Sequence, residues 1–190
     1  MAKVYPALDE RLQSWIRAQH LFFVATAPLS GDGHVNLSPK GLDTLAILGE
    51  RSVAYLDLVG SGAETVAHLR ENGRITLLFC AFEGPPKILR LHGRGEELEP
   101  GDPGYEELLE RFPRYPGARA IIRVAVERIA DSCGYGVPLY SYQGPRKQLV
   151  AWAERKGEAG LRRYQLEHNL ESLDGLPALR APRLRGGEPE

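Results

Sequence analysis

In the stretch HVNLSPKG, residues 34–41, the side chains of Asn36, Ser38 and Lys40 occupy alternate positions. An extended chain sends alternate side chains to one face, so an amide, a hydroxyl and an ammonium emerge together. Such a set can hold a phosphate or a carbonyl-rich ring. The same residues also suit the solvated face of a hairpin ending in a Pro39-Lys40-Gly41 turn. A second candidate is YLDLVGSGAET, residues 55–65, where Gly60, Ser61 and Gly62 stand between a strand-like run and a helix-like one. Backbone N–H groups and a helix dipole at such a junction can hold an anion, with Ser61 and Thr65 as added hydroxyl donors. The spacing matches neither GxGxxG nor the Walker loop, and a glycine turn is needed there merely to redirect the chain. Asp57 and Glu64 would repel a phosphate, so one or both must point elsewhere or bind a sugar hydroxyl or an arginine.

His68 follows Glu64 by four residues and Thr65 by three, which puts the three on one helical face. It reads as a structural or capping imidazole, with a ligand contact as the sharper alternative. The remaining histidines form no metal or triad pattern, and GxSxG, HExxH and paired-cysteine motifs are absent. In KILRLHGRG, residues 87–95, Lys87, Leu89, Leu91 and Gly93 share one strand face and Ile88, Arg90 and His92 the other. Arg90 is therefore either an inward charge that needs a carboxylate or phosphate, or a surface residue. In DSCGYGVPLY, residues 131–140, Gly134 and Gly136 permit close backbone approach and Tyr135 offers a stacking face. Cys133 reads as a core packer rather than a redox group, because no second cysteine lies nearby.

The elements that must position these groups follow from periodicity. Leu8, Leu12, Trp15 and Ile16 predict an amphipathic helix over 8–20, with Asp9 and Glu10 in its first turn. Strand-like runs follow at 21–27, 34–38, 45–48, 52–59, 75–82, 87–98 and 120–131, separated by Gly, Pro and Asn turns. A helix over 62–72 stops at Asn72-Gly73, and another over 102–112 opens with Asp102 as a candidate cap. Two short helices fill 146–169, broken at Gly157 and Gly160. Links this short exclude right-handed crossovers, so a parallel doubly wound sheet fits poorly. An antiparallel barrel with helical additions fits best, with an α+β sandwich as the alternative.

Composition bounds the rest. At 190 residues the chain suits one domain, expected over 1–179 with a flexible tail over 180–190, where proline and glycine replace apolar residues. With 24 basic and 25 acidic side chains, the formal charge of -1 removes any bulk attraction to nucleic acid. Two cysteines far apart indicate neither a disulfide framework nor a zinc site. No apolar run reaches the roughly 18 residues of a membrane span, and the N-terminus has no leader pattern, so a cytoplasmic protein is expected.

Taken in order, FFVATA, HVNLSPKG, VAYLDLVGSGAETVAHLRENGRITLLFCAF, PPKILRLHGRG, SCGYGVP and SLDGLP resemble the pyridoxamine 5'-phosphate oxidase-like family of FMN-binding split-barrel proteins, over about residues 8–179. The resemblance implies a mainly β, six-stranded antiparallel split barrel with flanking and C-terminal helices. It also implies a homodimer with FMN in clefts at the subunit interface and a small-molecule substrate. It assigns the cofactor to Asn36, Ser38, Pro39 and Lys40, then Tyr55 and Asp57, then the turn from Ser61 to Thr65, with Arg90 on a later strand. His68 joins these from its helical position. The Cys133 and Tyr135 loop takes the place of the oxidases' substrate-binding arginine and histidine, which argues against pyridoxamine phosphate as substrate. Glu64 and Thr65 stand where the resemblance expects a basic, phosphate-gripping pair, so the phosphate falls to Lys40, Arg90 or another arginine, or the cofactor is held more weakly. The implied activity is a flavin-dependent oxidoreductase; a flavin-storage protein and a deazaflavin- or haem-binding member of the same fold are the alternatives.

Overall fold

The computed structural model describes residues 3–181. Along the chain run β1 (Val4–Tyr5), α1 (Glu10–Arg17), β2 (Phe22–Thr26), β3 (Asn36–Lys40), β4 (Leu45–Gly49) and β5 (Ser52–Leu58). Then come α2 (Glu64–Asn72), β6 (Arg74–Cys80), β7 (Ile88–Leu98), α3 (Tyr105–Leu109), β8 (Ala118–Ser132) and α4 (Gln148–His168). The strands form one sheet in the order β3-β2-β6-β7-β8-β5-β4, with β1 added to β8. Every pairing is antiparallel. The split-barrel class expected from the sequence is present, with eight strands in place of six. Among the described residues no pairing joins β3 to β4, so the sheet is curled but not closed. The two-residue β1 is too short to show any period, and β8 is long enough to pair with β1, β5 and β7.

Local chemistry sets the element ends. Asp9 caps α1, its carboxylate accepting from the Leu12 N–H at 2.8 Å, and the helix buries Leu12 and Ile16. Helix α2 stops where Gly73 turns left-handed at φ 69°. Helix α3 is shorter than the sequence suggests: Asp102 accepts from the Glu99 N–H instead of capping it, and Gly104 opens the helix. Helix α4 is broken at Gly157, φ 63°, as the glycine pattern predicts. At a bulge between β7 and β8, a Cβ on Gly93 would lie 2.1 Å from the Ala125 carbonyl oxygen, which only glycine avoids.

Register decides which face each side chain takes. Phe22 pairs with Phe79 and Phe79 with Leu89; Val24 pairs with Leu77 and Leu77 with Leu91. These residues line the inner face, with Tyr55, Ile122 and Val124, and α1 and α2 pack onto it through Leu12, Ile16, Val66 and Leu69. The alternate residues of β5 and β8, Ala54, Leu56 and Ile121, meet Leu98, Tyr105 and Phe112 in a second cluster. The other half of the outer face, carrying Phe23, Leu37 and Leu78, is only half-buried or exposed.

The segment after α4 is tied down. Leu179 donates to the Asn169 carbonyl at 3.0 Å, and Arg180 pairs with Glu99 at 2.9 Å and with Asp102. Arg180 is thus anchored where the expected tail begins, and 182–190 lie outside the described residues. No helix among the described residues is long and apolar enough to cross a membrane.

Candidate functional site

Strand β3 pairs with β2 so that Lys40 faces Phe22, Ser38 faces Val24 and Asn36 faces Thr26. All three polar side chains therefore share a face, as their alternation implies, but it is the inner face rather than a solvated one. Asn36 Nδ2 donates to Thr26 Oγ1 at 3.1 Å and to Thr65 Oγ1 at 3.0 Å, and Ser38 Oγ donates to Asn36 Oδ1 at 2.9 Å. His68 is fully buried, with Nδ1 at 3.0 Å from Thr26 Oγ1. Burial lowers its pKa against the pull of Glu64, Asp174 and Glu71, which favours the neutral ring. Its Nε2 has no partner among the described residues.

Lys40 Nζ donates to Asp57 Oδ1 at 2.8 Å, and Arg119 Nε donates to Asp57 Oδ2 at 2.8 Å. Burial alone would raise the Asp57 pKa, but the charges of Arg119 and then Lys40, with their hydrogen bonds, hold it down at about 2. One of the acids near the glycine turn thus does bind an arginine. Arg119 is the site residue that periodicity misses. It sits at a bulge, between the pairs Asp57–Ala120 and Leu58–Ala118, and the extra residue re-aims its side chain inward. The available signal was Asp57 itself, an acid inside an apolar strand that requires a cation. Tyr55, also fully buried, lies near the Thr65 hydroxyl without a well-formed hydrogen bond; burial first and Asp57 second raise its pKa well above the ordinary value.

The other expected site residues lie elsewhere. Ser61 is exposed, while the turn around it is held by the C-terminal segment: Asn169 donates to the Gly60 carbonyl at 3.1 Å and Leu173 N–H to Glu64 at 3.0 Å. Thr65 is taken up by Asn36, so this turn offers a phosphate an acid and no bonded cation; the donor set does not fit. Arg90 pairs with Leu78 and Ala130, which puts it on the outer face, where Nη1 donates to Ser132 at 3.1 Å. The sheet separates it from Lys40, and the two cannot grip one phosphate. Pro39 also faces outward. Cys133 is exposed rather than packed in the core, and Tyr135 is 82% exposed.

A groove of about 1350 Å³ lies between α1, the 82–87 turn and an arm formed by residues 134–147. Its walls include Trp15, His20, Phe82, Tyr140, Tyr142 and Lys87, and of the expected residues only Pro39 reaches it. The His20 and Tyr142 rings stack at 3.6 Å and 8°, and Phe82 and Tyr140 stack at 5.5 Å. Tyr140 N–H donates to the Phe82 carbonyl at 2.9 Å and Tyr142 N–H to Glu83 at 3.0 Å, which fastens the arm down. The Lys87 ammonium lies 5.0 Å from the Trp15 ring, 5.6 Å from the Tyr5 ring and 3.9 Å from Asp131, which also accepts from the Tyr5 hydroxyl. Burial lowers the Lys87 pKa while Asp131 opposes the shift. No local motif could reveal this groove, because its walls come from four separate stretches of chain, around 5–21, 39–42, 82–87 and 131–149.

Comparison with known proteins gives a consistent outcome. Residues 8–133 match the family model described as pyridoxamine 5'-phosphate oxidase. The chain is 40% identical over 203 aligned positions, 97% of its own length and 80% of the relative's, to the pyridoxamine 5'-phosphate oxidase family protein ustO of Aspergillus flavus. Among solved structures it resembles HupZ of Group A Streptococcus, with TM-score 0.52 and 22% identity over 66% of this chain and 99% of that one. It also resembles a putative pyridoxamine 5'-phosphate oxidase of Lactobacillus delbrueckii, with TM-score 0.50 and 15% identity over 67% and 98%. The family match ends at Cys133, so the arm that roofs the groove lies beyond it.

Proposed function

Because the chain belongs to the pyridoxamine 5'-phosphate oxidase family, we propose that it is a flavoprotein, binding FMN with the isoalloxazine ring in the groove beneath the arm. The observation that carries this reading is the groove itself: a volume of about 1350 Å³ walled by Trp15, His20, Tyr140 and Tyr142, beside the end of β3. Clefts for ligands of this kind run to about 300–1,000 Å³ and are mostly apolar with a few placed polar groups; this groove is roomier than that range and shares the mostly apolar lining. Aromatic faces suit a planar ring, and the Lys87 ammonium and Asp131 carboxylate supply the placed polar groups.

Bound flavin would supply the hydride or electron transfer. The residues of the chain do the rest. The His20–Tyr142 pair and Trp15 orient the ring, and the arm keeps water from the covered side. Lys87, held between two aromatic rings and a carboxylate, presents a positive charge to the cleft. The partner of the reaction is an unidentified small molecule, and a homodimer covers the half-exposed outer face around Leu37 and Phe23.

Titration of the purified protein with FMN tests the reading: saturable quenching of flavin fluorescence is expected, and its absence sinks it. Reduction of the bound flavin by a nicotinamide nucleotide separates an enzyme from a storage protein, which would bind flavin and accept no reductant.

A further inference from the structure

A second pocket, of about 370 Å³, lies behind the turn that follows β3. Gln19, His20 and Gly41 border both this pocket and the groove, so the two cavities are neighbours across a ridge that these residues help to form. The lining changes character across the ridge. Where the groove is aromatic, the second pocket presents Arg17 from the last turn of α1 and Arg111 from just after α3, with Thr44 and one carboxylate, Asp43. Among the described residues none of these three charged groups is in an ion pair; Arg17 donates only to the neutral Gln13, at 3.1 Å. Two guanidinium groups against one carboxylate leave the pocket net positive, and guanidinium matches the geometry of a phosphate.

The backbone between the two cavities is strained. Leu42 and Asp43 are both left-handed, at φ 63° and 49°, a conformation that costs a non-glycine residue energy and that gathers at ligand sites. Thr44 Oγ1 holds the turn by donating to the Gly41 carbonyl at 2.7 Å, and the Leu56 N–H donates to the Thr44 carbonyl at 2.8 Å. Leu42 lines the groove and Asp43 lines the pocket, so the strained pair faces one cavity with each side chain.

We propose that this pocket is the anion subsite of the groove, taking the phosphate monoester of a ligand whose ring lies under the arm, with Arg17 and Arg111 as its anchors. The proposal rests on the flavin reading above and assigns the phosphate that neither the Ser61–Thr65 turn nor Lys40 is placed to hold. Both arginines are exposed and outside the core, so their replacement leaves the fold in place.

The test compares FMN with riboflavin, which lacks the phosphate, on wild-type protein and on Arg17→Gln, Arg111→Gln and the double variant. FMN is expected to bind at least tenfold more tightly than riboflavin to wild type. The preference should shrink at least threefold in each single variant and vanish in the double variant, with riboflavin affinity unchanged throughout. Inorganic phosphate should compete with FMN and leave riboflavin binding unaffected. Equal affinity of wild type for the two flavins, or a preference that survives the double variant, overturns the subsite. A preference lost instead on Arg11→Gln or Arg146→Gln, on the groove's own rim, does the same. Failure of wild type to bind riboflavin and FMN alike would strike the flavin reading itself, a different outcome from any of these.

Discussion

The ammonium of Lys40 and the carboxylate of Asp57 lie 2.8 Å apart, with the carboxylate wholly buried and a second cation, Arg119, on its other oxygen. Lys40 is thus committed to the interior of the protein, although its motif invites assignment to a cofactor phosphate. Replacing it by methionine leaves Asp57 with one partner. Hydrogen bonds to charged groups contribute about 1.5–3 kcal/mol, so Lys40→Met should lower unfolding stability by that order while flavin affinity changes less than twofold. Urea denaturation and a flavin titration on the same variant check both halves.

Asp57 also sets an acid limit. Its pKa is 3.8 ordinarily and about 2 in the fold, so the folded state favours the carboxylate and the contribution is complete above about pH 5. It is lost as the pH falls towards 2, by roughly 2 kcal/mol in all. Stability measured from pH 5 to 2 should therefore fall more steeply for wild type than for Asp57→Asn, which has no such proton to take up.

Gly134 opens the arm at φ 68°, and a Cβ there would lie 2.8 Å from the Lys87 backbone nitrogen. Alanine at this position combines backbone strain with a clash against main chain, a pairing expected to cost about 1–3 kcal/mol. Because the sheet does not need the arm, Gly134→Ala should loosen residues 134–147 more than it lowers the global melting temperature. Limited proteolysis, with faster cleavage within the arm, reports the difference.

Tyr142 stacks on His20 and is fastened through its N–H to Glu83. Tyr142→Ala removes the ring but keeps the backbone bond, so the arm stays while one aromatic wall goes. An aromatic stack contributes about 0.5–1.5 kcal/mol beyond the area it buries, which predicts riboflavin affinity lower by roughly threefold to tenfold. Fluorescence quenching by riboflavin measures it.

Much of the fold is readable in the amino-acid order because single strands and helices announce themselves locally. The spacing of Leu8, Leu12, Trp15 and Ile16 gives α1, Asn72-Gly73 ends α2, and Gly157 breaks α4. The face of Asn36, Ser38 and Lys40 follows from alternation alone. What that alternation leaves open is whether the face is wet or buried, since this depends on β2 supplying Phe22, Val24 and Thr26 opposite. Arg119 escapes because a bulge shifts it out of the period that places its neighbours. Arg90 stays open between an inward and a surface role because a strand pattern separates two faces without saying which of them packs against the core. The groove is the least legible feature: Trp15 and Tyr142 come to line one cleft only once the arm is fastened to Phe82 and Glu83.

The central claim is that the cleft beneath the arm holds a flavin ring, and a riboflavin titration followed by fluorescence, run on wild type beside Trp15→Ala and Tyr142→Ala, tests it most directly. Saturable binding to wild type, weakened in both variants and retained in Lys40→Met, is the predicted result. Absence of binding to wild type, or binding that both groove variants leave untouched, would contradict it.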